Sequence, residues 1–160
     1  MEWRTAAYLS QDRVAIKEII DGIDVHSENE KRLGLPSRLI AKTFLFRLLY
    51  GGTCYSYAKD PDFKEVKKGH GNPRWWQEII DETYNKYRGL AKWHSDIFTF
   101  AVRFGYLELL TGASYRFESY RNNYGEIIWP RTKILNYPVQ GLSAHLMSIC
   151  RVSCYKALKD

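Results

Sequence analysis

Cysteine is scarce in this sequence of 160 residues, and its three occurrences, Cys54, Cys150 and Cys154, are odd in number and irregularly spaced. This excludes a regular disulfide framework and favours a reducing compartment. No apolar run reaches the roughly 20 residues of a membrane-spanning helix, and nothing at the N-terminus resembles a signal peptide. We therefore expect a soluble, cytoplasmic protein that does not enter a membrane.

Histidine is also rare, with four residues, and His70, His94 and His145 lack partners at the spacing of metal ligands. No metal site is therefore predicted within the chain. Acidic residues are fewer than basic ones, 18 against 24, which gives a formal net charge of +6 at pH 7. This excess suits a polyanionic partner. Many soluble proteins carry as much, however, so charge alone does not settle the class of function.

The positions of glycine and proline, which end helices, and the spacing of apolar residues predict a mostly helical α+β fold with one ordinary domain core. Helices are expected over 2–10, 12–21, 24–33, 36–50, 73–88, 90–104 and from Pro130 onwards, the last with an irregularity near Pro138. Residues 106–110 and 115–120 are expected to pair as a hairpin. The polar stretch 59–74 is interpreted as an exposed excursion, compatible equally with a solvated loop and with a DNA-backbone contact.

The most informative pattern is a recurrence of Arg38, Lys42, Phe46 and Tyr50 at every fourth residue, with no Gly or Pro between them. On an α-helix each step drifts only ~40°, so the four side chains form one stripe about 18 Å long. Two cations stand at one end and two aromatic rings at the other. This order suits a ligand with a polyanionic end and an aromatic end, such as a nucleoside triphosphate.

Periodicity alone leaves a second interpretation open, in which the stripe is an amphipathic core face ended by solvated cations. Other apolar residues of the helix could bury it without help from Phe46 or Tyr50. These residues are Leu39, Ala41, Leu45, Leu48 and Leu49.

The same run, which ends in Tyr50-Gly51, resembles motif B, the fingers-helix motif of family A (DNA polymerase I-like) DNA polymerases: Arg, Lys at +4, Phe at +8 and Tyr-Gly at +12. Four further matches follow the family's order along nearly the whole chain. They are 2–4 with 7–12 (end of motif A and the next helix), 22–26 (Asp-Ile-His), 105–108 with Gly112 (Gly-Tyr-Val-Glu-Thr) and 136–141 (Asn-x-Pro-x-Gln-Gly). The sequence is thus similar to a central palm and fingers fragment, and the excursion favours a phage-type member.

The resemblance implies one polymerase-domain fragment over 1–160, with fingers helices in 23–94 and partial palm in 1–22 and 95–160 of a right-hand polymerase. It also implies a DNA-directed DNA polymerase, a nucleotidyltransferase of DNA replication. Its partners would then be primer–template DNA and dNTPs.

Within that family resemblance, the stripe and two neighbours are expected to bind the incoming dNTP. Arg38 would clamp the distal phosphates, for which its planar fork of donors is suited. Lys42 would contact the triphosphate and act as the catalytic proton donor to the pyrophosphate leaving group. His26 would add a third phosphate contact, although a plain helix-start histidine fits the residue as well.

The remaining dNTP-binding residues would contact the sugar and base. Phe46 would pack on both, and Tyr50 would stand beside the template. Glu2 matches the steric-gate glutamate that excludes a 2′-hydroxyl, and it would hydrogen-bond Tyr50. A glutamate in a first helical turn is favourable in any case.

The expected DNA-binding residues are Asn136, Gln140 and Tyr50. Asn136 and Gln140 are four apart, so one helical face presents both amides together. The family resemblance places them against the primer–template minor groove, which offers acceptors at every base pair. Capping and hydrogen bonds around Pro138 are the alternative.

The family holds Mg²⁺ with carboxylates of motif A and motif C, and neither is matched between Met1 and Asp160. The resemblance therefore places the metal ligands outside this chain, and the isolated chain is expected to be inactive unless remaining polymerase segments complete it in trans. A non-catalytic basic DNA-binding module is the alternative. Two departures from the family are 112–114, where Gly-Arg-Arg is usual, and Arg47, where Gly is common.

Overall fold

A computed structural model describes residues 1–159 and confirms the mostly helical α+β class. The helices are α1 (Glu2–Ser10), α2 (Arg13–Ile20), α3 (Val25–Leu33), α4 (Arg38–Leu49), α5 (Cys54–Lys59), a 3₁₀ turn (Pro61–Phe63), α6 (Pro73–Lys86), α7 (Arg88–Phe104) and α8 (Arg131–Lys159). The strands are β1 (Tyr106–Glu108), β2 (Ser114–Arg116), β3 (Tyr120–Arg121) and β4 (Ile127–Ile128). Strands β1 and β2 pair antiparallel, as do β3 and β4.

Short polar residues fix where α3 and α4 begin. The Asp24 carboxylate accepts the backbone N–H of His26, and the Ser37 hydroxyl accepts that of Ile40. Each cap satisfies a backbone donor that the first turn leaves free. Gly34 ends α3 with a φ of 61°, which a glycine adopts without steric cost. Since Ser37 is the cap, Pro36 precedes the helix rather than opening it.

Helix α4 packs into two hydrophobic cores. Ala41, Phe44 and Leu48 lie in a core formed with α5 and α6. Leu45 and Leu49 lie in a second core, formed with α1, α7 and Val139 of α8. Leu39 was expected to help bury the helix, but it is exposed. Ile40 and Phe44 are buried instead.

The excursion over 59–74 is not a fully solvated loop. Phe63 and Val66 are buried in the first core, and the Trp76 indole N–H donates to the Gly69 carbonyl at 2.9 Å. A Cβ on Gly69 would lie 2.7 Å from Trp75 and Trp76, so only glycine fits there. The prediction of an exposed excursion was wrong for these residues because apolar side chains lie inside a lysine-rich stretch.

Arg47, a departure from the family pattern, anchors the same segment to α4. Its guanidinium forms ion pairs with Asp60 and with Asp62, the latter at 2.8 Å. It also lies 5.2 Å from the Phe63 ring centroid, within cation–π range. One side chain therefore fixes both ends of the short 3₁₀ turn.

The C-terminal part contains one hairpin more than predicted and an uninterrupted last helix. The β3–β4 pair was missed because each strand has only two residues. Helix α8 runs through Pro138 without the expected break, with the loss of one backbone donor. A Cβ on Gly141 would collide with the Tyr115 hydroxyl, so this glycine lets α8 approach the first hairpin.

No helix within residues 1–159 combines the length and apolar character required to cross a membrane.

His94 is a buried titratable group in α7. It is 2% exposed, and its Nδ1 lies 3.0 Å from the Tyr84 hydroxyl. Burial lowers the pKa of His94 to about 3, and the positive charge of Arg131 acts in the same direction. The folded state therefore holds this imidazole neutral.

We expect His94 to make folding stability fall with acidification below about pH 6.5. Between that pH and about 3 the unfolded chain takes up a proton that the folded chain refuses, at a cost of up to about 1.4 kcal/mol per pH unit. Denaturant unfolding of the wild type and of His94→Gln between pH 7 and 4.5 should show a shallower loss in the variant. His70→Gln, at an exposed histidine, is the control. Parallel stability curves for wild type and His94→Gln would contradict this account.

Candidate functional site

An open cleft of about 500 Å³ brings together most of the predicted site residues. All six residues predicted to bind the nucleotide line it, together with Gln140 and Met1. Those six come from α1, α3 and the stripe of α4, which are separate in sequence, and Gln140 comes from α8: Glu2, His26, Arg38, Lys42, Phe46 and Tyr50. The fold thus brings together in one surface four motifs that the sequence shows only in linear order.

The stripe on α4 faces this cleft, and the positions that pack into the two cores lie on other sides of the helix. The neighbouring positions 40–41, 44–45 and 48–49 are all buried. Arg38 and Lys42 are exposed at one end of the stripe, and Phe46 and Tyr50 are half-buried at the other. The Lys42 ammonium lies 5.7 Å from the Phe46 ring centroid. The cation end and the aromatic end are therefore arranged as the periodicity predicts.

Arg38 does not point freely into solvent. Its Nε donates to Asp24 Oδ2 at 2.6 Å and its Nη2 to Asp24 Oδ1 at 3.3 Å. The hydrogen bonds from the Arg38 guanidinium are the main reason that the pKa of Asp24 lies well below its usual range. Hydrogen bonds from Ser27 and from the His26 N–H contribute less. The sequence marks Asp24 as a helix cap, but nothing in it signals that this carboxylate meets Arg38. Lys42 has no acidic partner within residues 1–159.

His26 lines the cleft beside Phe46. Its ring centroid is 5.8 Å from that of Phe46. Partial burial lowers the pKa of His26, the negative charge of Asp24 opposes this, and the charges of Arg38 and Lys42 add to it. Its Nδ1 is buried and has no hydrogen-bond partner among residues 1–159. A neutral imidazole here could contact an oxygen of a ligand.

Tyr50 joins α4 to α8 at the aromatic end. Its hydroxyl accepts a long hydrogen bond of 3.4 Å from Gln140 Nε2. Burial raises the pKa of Tyr50, the Gln140 hydrogen bond opposes this, and the nearby Glu2 carboxylate raises it further. Glu2 thus lies beside Tyr50 as expected, and its carboxylate interacts with the hydroxyl that also accepts from Gln140.

Asn136 lies one helical turn before Gln140 on α8 but does not line the cleft. Its Oδ1 is buried without a hydrogen-bond partner within residues 1–159. The structure therefore brings Gln140 and Tyr50 of the predicted DNA-binding set together and leaves Asn136 adjacent to them.

No cluster of three or more His, Cys, Asp or Glu side chains that could hold a metal ion occurs in residues 1–159. The described carboxylates thus do not fit a resident divalent metal ion. What the cleft can do with its own residues is bind phosphates at its cationic end and pack an apolar ring at its aromatic end.

The chain is similar to known proteins over its whole length. The family model for DNA polymerase family A matches residues 1–160. DNA polymerase I of Chloroflexus aurantiacus is 24% identical over all of this chain and 17% of its own length. DNA polymerase I of Borreliella burgdorferi is 28% identical over all of this chain and 18% of its own length. The chain therefore spans about a sixth of the length of these relatives.

A solved structure shows the same fold. It is the POL domain of Pol1 from M. smegmatis in complex with DNA primer-template and dNTP, with a TM-score of 0.76 and 22% identity, over all of this chain and 28% of that one. At that identity the likeness concerns the fold alone. The family match over the full length decides the classification: the chain belongs to DNA polymerase family A.

Proposed function

We propose that this chain supplies the dNTP site and part of the primer–template site of a DNA-directed DNA polymerase, for template-directed DNA synthesis. The observation that supports it most strongly is the cleft itself, where the six predicted nucleotide-binding residues converge from three separate motifs. In this proposal residues 23–94 form the fingers, and 1–22 and 95–160 form palm pieces. Helix α7 runs continuously across the boundary at 94–95.

The triphosphate would lie at the cationic end of the cleft. Arg38 would offer two parallel N–H donors to one phosphate, the geometry it already uses on Asp24. Lys42, without an acidic partner in residues 1–159, would contact the phosphates and donate its proton to the departing pyrophosphate oxygen. His26 would contribute a third contact to a phosphate oxygen.

The sugar and base would lie at the aromatic end. Phe46 would pack on the sugar and base, and Tyr50 would stand against the templating base. Glu2, next to Tyr50, would exclude a nucleotide with a 2′-hydroxyl because its carboxylate would occupy the space beside the sugar. Gln140, which already reaches the Tyr50 hydroxyl, and Asn136 would donate to minor-groove acceptors of the primer–template.

Metal ions and further protein segments complete the proposed enzyme. Family A polymerases generally use divalent metal ions, and we propose Mg²⁺ in this case. Since residues 1–159 offer no fitting cluster, no step proposed for these residues passes through a metal. The remaining polymerase segments would provide its ligands, in cis or in trans.

Loss of either stripe cation should weaken nucleotide binding. Lys42→Ala and Arg38→Ala each remove charge-assisted hydrogen bonds worth about 1.5–3 kcal/mol. The Kd for the dNTP should therefore rise about tenfold or more in each variant. Isothermal titration calorimetry of this chain with a primer–template hairpin and the matching dNTP measures the change. Lys31→Ala, at an exposed lysine of α3 outside the cleft, should leave the dNTP affinity within twofold.

Unchanged dNTP affinity in both variants would contradict the assignment of the stripe. Binding of DNA that falls steeply with salt but is not tightened by the matching dNTP would instead favour a non-catalytic DNA-binding module.

Asp24→Asn should tighten phosphate binding severalfold. The amide retains the acceptor that caps α3, but the negative charge that occupies Arg38 is removed. Calorimetry with inorganic tripolyphosphate, without DNA, isolates this effect. Asp21→Asn changes the net charge equally, at an exposed pair with Lys17, and should have little influence. Weaker tripolyphosphate binding by Asp24→Asn would mean that the carboxylate holds Arg38 in its binding position rather than competing for it.

A further inference from the structure

Three aromatic side chains form an exposed patch at the end of α7 and the start of β1. Phe100, Phe104 and Tyr106 are 40%, 51% and 39% exposed. The ring centroids of Phe100 and Phe104 lie 4.5 Å apart, and those of Phe100 and Tyr106 lie 5.7 Å apart. The opposite side of α7 is packed, since Leu90 and Ala101 are buried. Contiguous apolar rings on a surface mark an interaction site, and the proposed function gives these rings no role.

A small pocket of about 290 Å³ opens beside this aromatic patch. Its lining residues come from the end of α7 and from the first hairpin: Phe104, Gly105, Tyr106, Ser114 and Arg116. Gly105 ends α7 with a φ of 76°, which lets the chain turn directly from the helix into β1. This turn places the Phe104 ring and the polar side chains of the hairpin around one opening.

The polar wall of the pocket consists of hydrogen-bond donors. Tyr106 and Arg116 are direct cross-strand partners, and Ser114 lies two residues before Arg116 on the same face of the hairpin. Arg116 forms no ion pair within residues 1–159, in contrast to Arg38 and Arg47. A guanidinium flanked by two hydroxyls can donate from three side chains to a single carboxylate. The pocket therefore suits an acidic group.

The charges around the pocket favour a ligand whose negative charge is localised. On the side of the aromatic patch, the Arg103 guanidinium lies 5.1 Å from the Phe104 ring centroid. On the hairpin, however, Glu108 lies opposite Ser114 and thus on the same face as the donors. A nucleic acid strand would bring several phosphates close to this carboxylate, whereas a peptide brings single carboxylates. The charge distribution favours an acidic peptide over a nucleic acid.

The geometry of the rings favours a peptide as well. The planes of Phe100 and Phe104 are inclined by 44°, and Tyr106 stands at 80° to Phe100. Unpaired bases stack on ring faces that are accessible one by one. Rings that pack on one another form a continuous apolar surface instead, which suits an apolar side chain of a partner. Phe, Tyr and Arg are also the residues that are enriched in protein–protein interfaces.

We propose that the aromatic patch and the pocket form a docking site for an extended acidic peptide segment of a partner protein. Tyr106, Ser114 and Arg116 would donate to an Asp or Glu carboxylate of the peptide. Phe100 and Phe104 would pack against an aromatic side chain of the peptide. Side chains two residues apart in an extended chain point to the same side, about 7 Å apart, so one residue would separate the acid from the aromatic residue.

Titration of the ¹⁵N-labelled chain with a synthetic peptide tests the proposal. The peptide has blocked ends and the sequence Gly-Ser-Asp-Ser-Phe-Ser-Asp-Ser-Phe-Ser-Gly, so that Asp and Phe alternate on one side when it is extended. We expect saturable amide chemical-shift changes concentrated at 100–106 and 114–116. Peptides with Asn for Asp, or with Ala for Phe, should bind about tenfold more weakly or worse. No saturable shift at these amides would overturn the proposal.

Two double variants with the same change in composition locate the binding. Tyr106→Ser with Arg116→Gln removes one ring of the patch and the cation of the pocket, and it should weaken peptide binding about tenfold or more. Tyr155→Ser with Arg151→Gln is the control, at two exposed residues of α8, and should leave the affinity within about twofold. Equal losses in both variants would overturn the proposal.

Charge reversal at Arg116 gives a second test that removes no ring. Arg116 is exposed, so Arg116→Glu should leave the fold intact, which the amide spectrum of the free variant checks. The variant should lose binding of the acidic peptide and gain binding of the corresponding peptide with Lys in place of Asp. Equal affinities of wild type and variant for each peptide would overturn the assignment of the carboxylate to this pocket.

Other occupants give different results in the same spectra. If oligo(dT) shifted the amides of 100–106 and 114–116 at lower concentration than the peptide does, the surface would bind nucleic acid and the proposal would be wrong. Shifts of the same amides on concentrating the chain alone would assign the surface to a second copy, which also overturns it. We expect neither result.

The proposed nucleotide site can fail without affecting this inference, because the docking site uses none of the residues that line the cleft. Lys42→Ala should lose dNTP affinity and bind the acidic peptide as the wild type does. Unchanged dNTP affinity in Lys42→Ala, together with the expected peptide results, would refute the cleft and sustain the docking site. Loss of peptide binding in Lys42→Ala would refute the docking site.

Discussion

The packing of α4 into two cores at once is the constraint on which the rest of the site depends. Ala41, Phe44 and Leu48 are held by α5 and α6, and Leu45 and Leu49 by α1 and α7. A 12-residue helix held on two sides cannot rotate without exposing one core, so the stripe stays directed at the cleft. Burial of the core-facing side chains of α4 therefore orients the cations and rings of the stripe along one line. No single contact within the cleft does this.

Helix α8 extends the same surface. Its buried face packs on α1 and α7, while Gln140 reaches Tyr50 of α4. Gly141 lets α8 come close to Tyr115, and Gly51 does the same where α4 ends, since a Cβ there would meet Leu135 at 3.0 Å. Two close approaches thus fix α8 against the first hairpin and against the end of α4. In the cleft, Asp24 occupies Arg38, whereas Lys42 has no acidic partner among the described residues.

Much of this arrangement could be predicted because it follows from local rules. The four-residue period of the stripe survives in the structure, since helix geometry alone determines it. Asp24 and Ser37 cap the helices that they precede. The mostly helical class likewise follows from the positions of glycine and proline and from apolar spacing, whereas the convergence of Glu2 and His26 on the stripe follows from the family resemblance rather than from any local pattern.

What could not be predicted depends on contacts between distant segments. The Asp24–Arg38 pair joins residues 14 apart, and a sequence shows charges but not which of them meet. Phe63 and Val66 are buried inside a stretch whose composition favours solvent, because Arg47 neutralises its two aspartates.

The central claim is that the cleft on the α4 stripe is a nucleotide site. Titration of the ¹⁵N-labelled chain with a dNTP, followed by backbone amide chemical shifts, tests it most directly. The account predicts saturable shifts concentrated at Arg38, Lys42, Phe46 and Tyr50 and at His26. Shifts confined to other surfaces, or none at saturating dNTP, would contradict it.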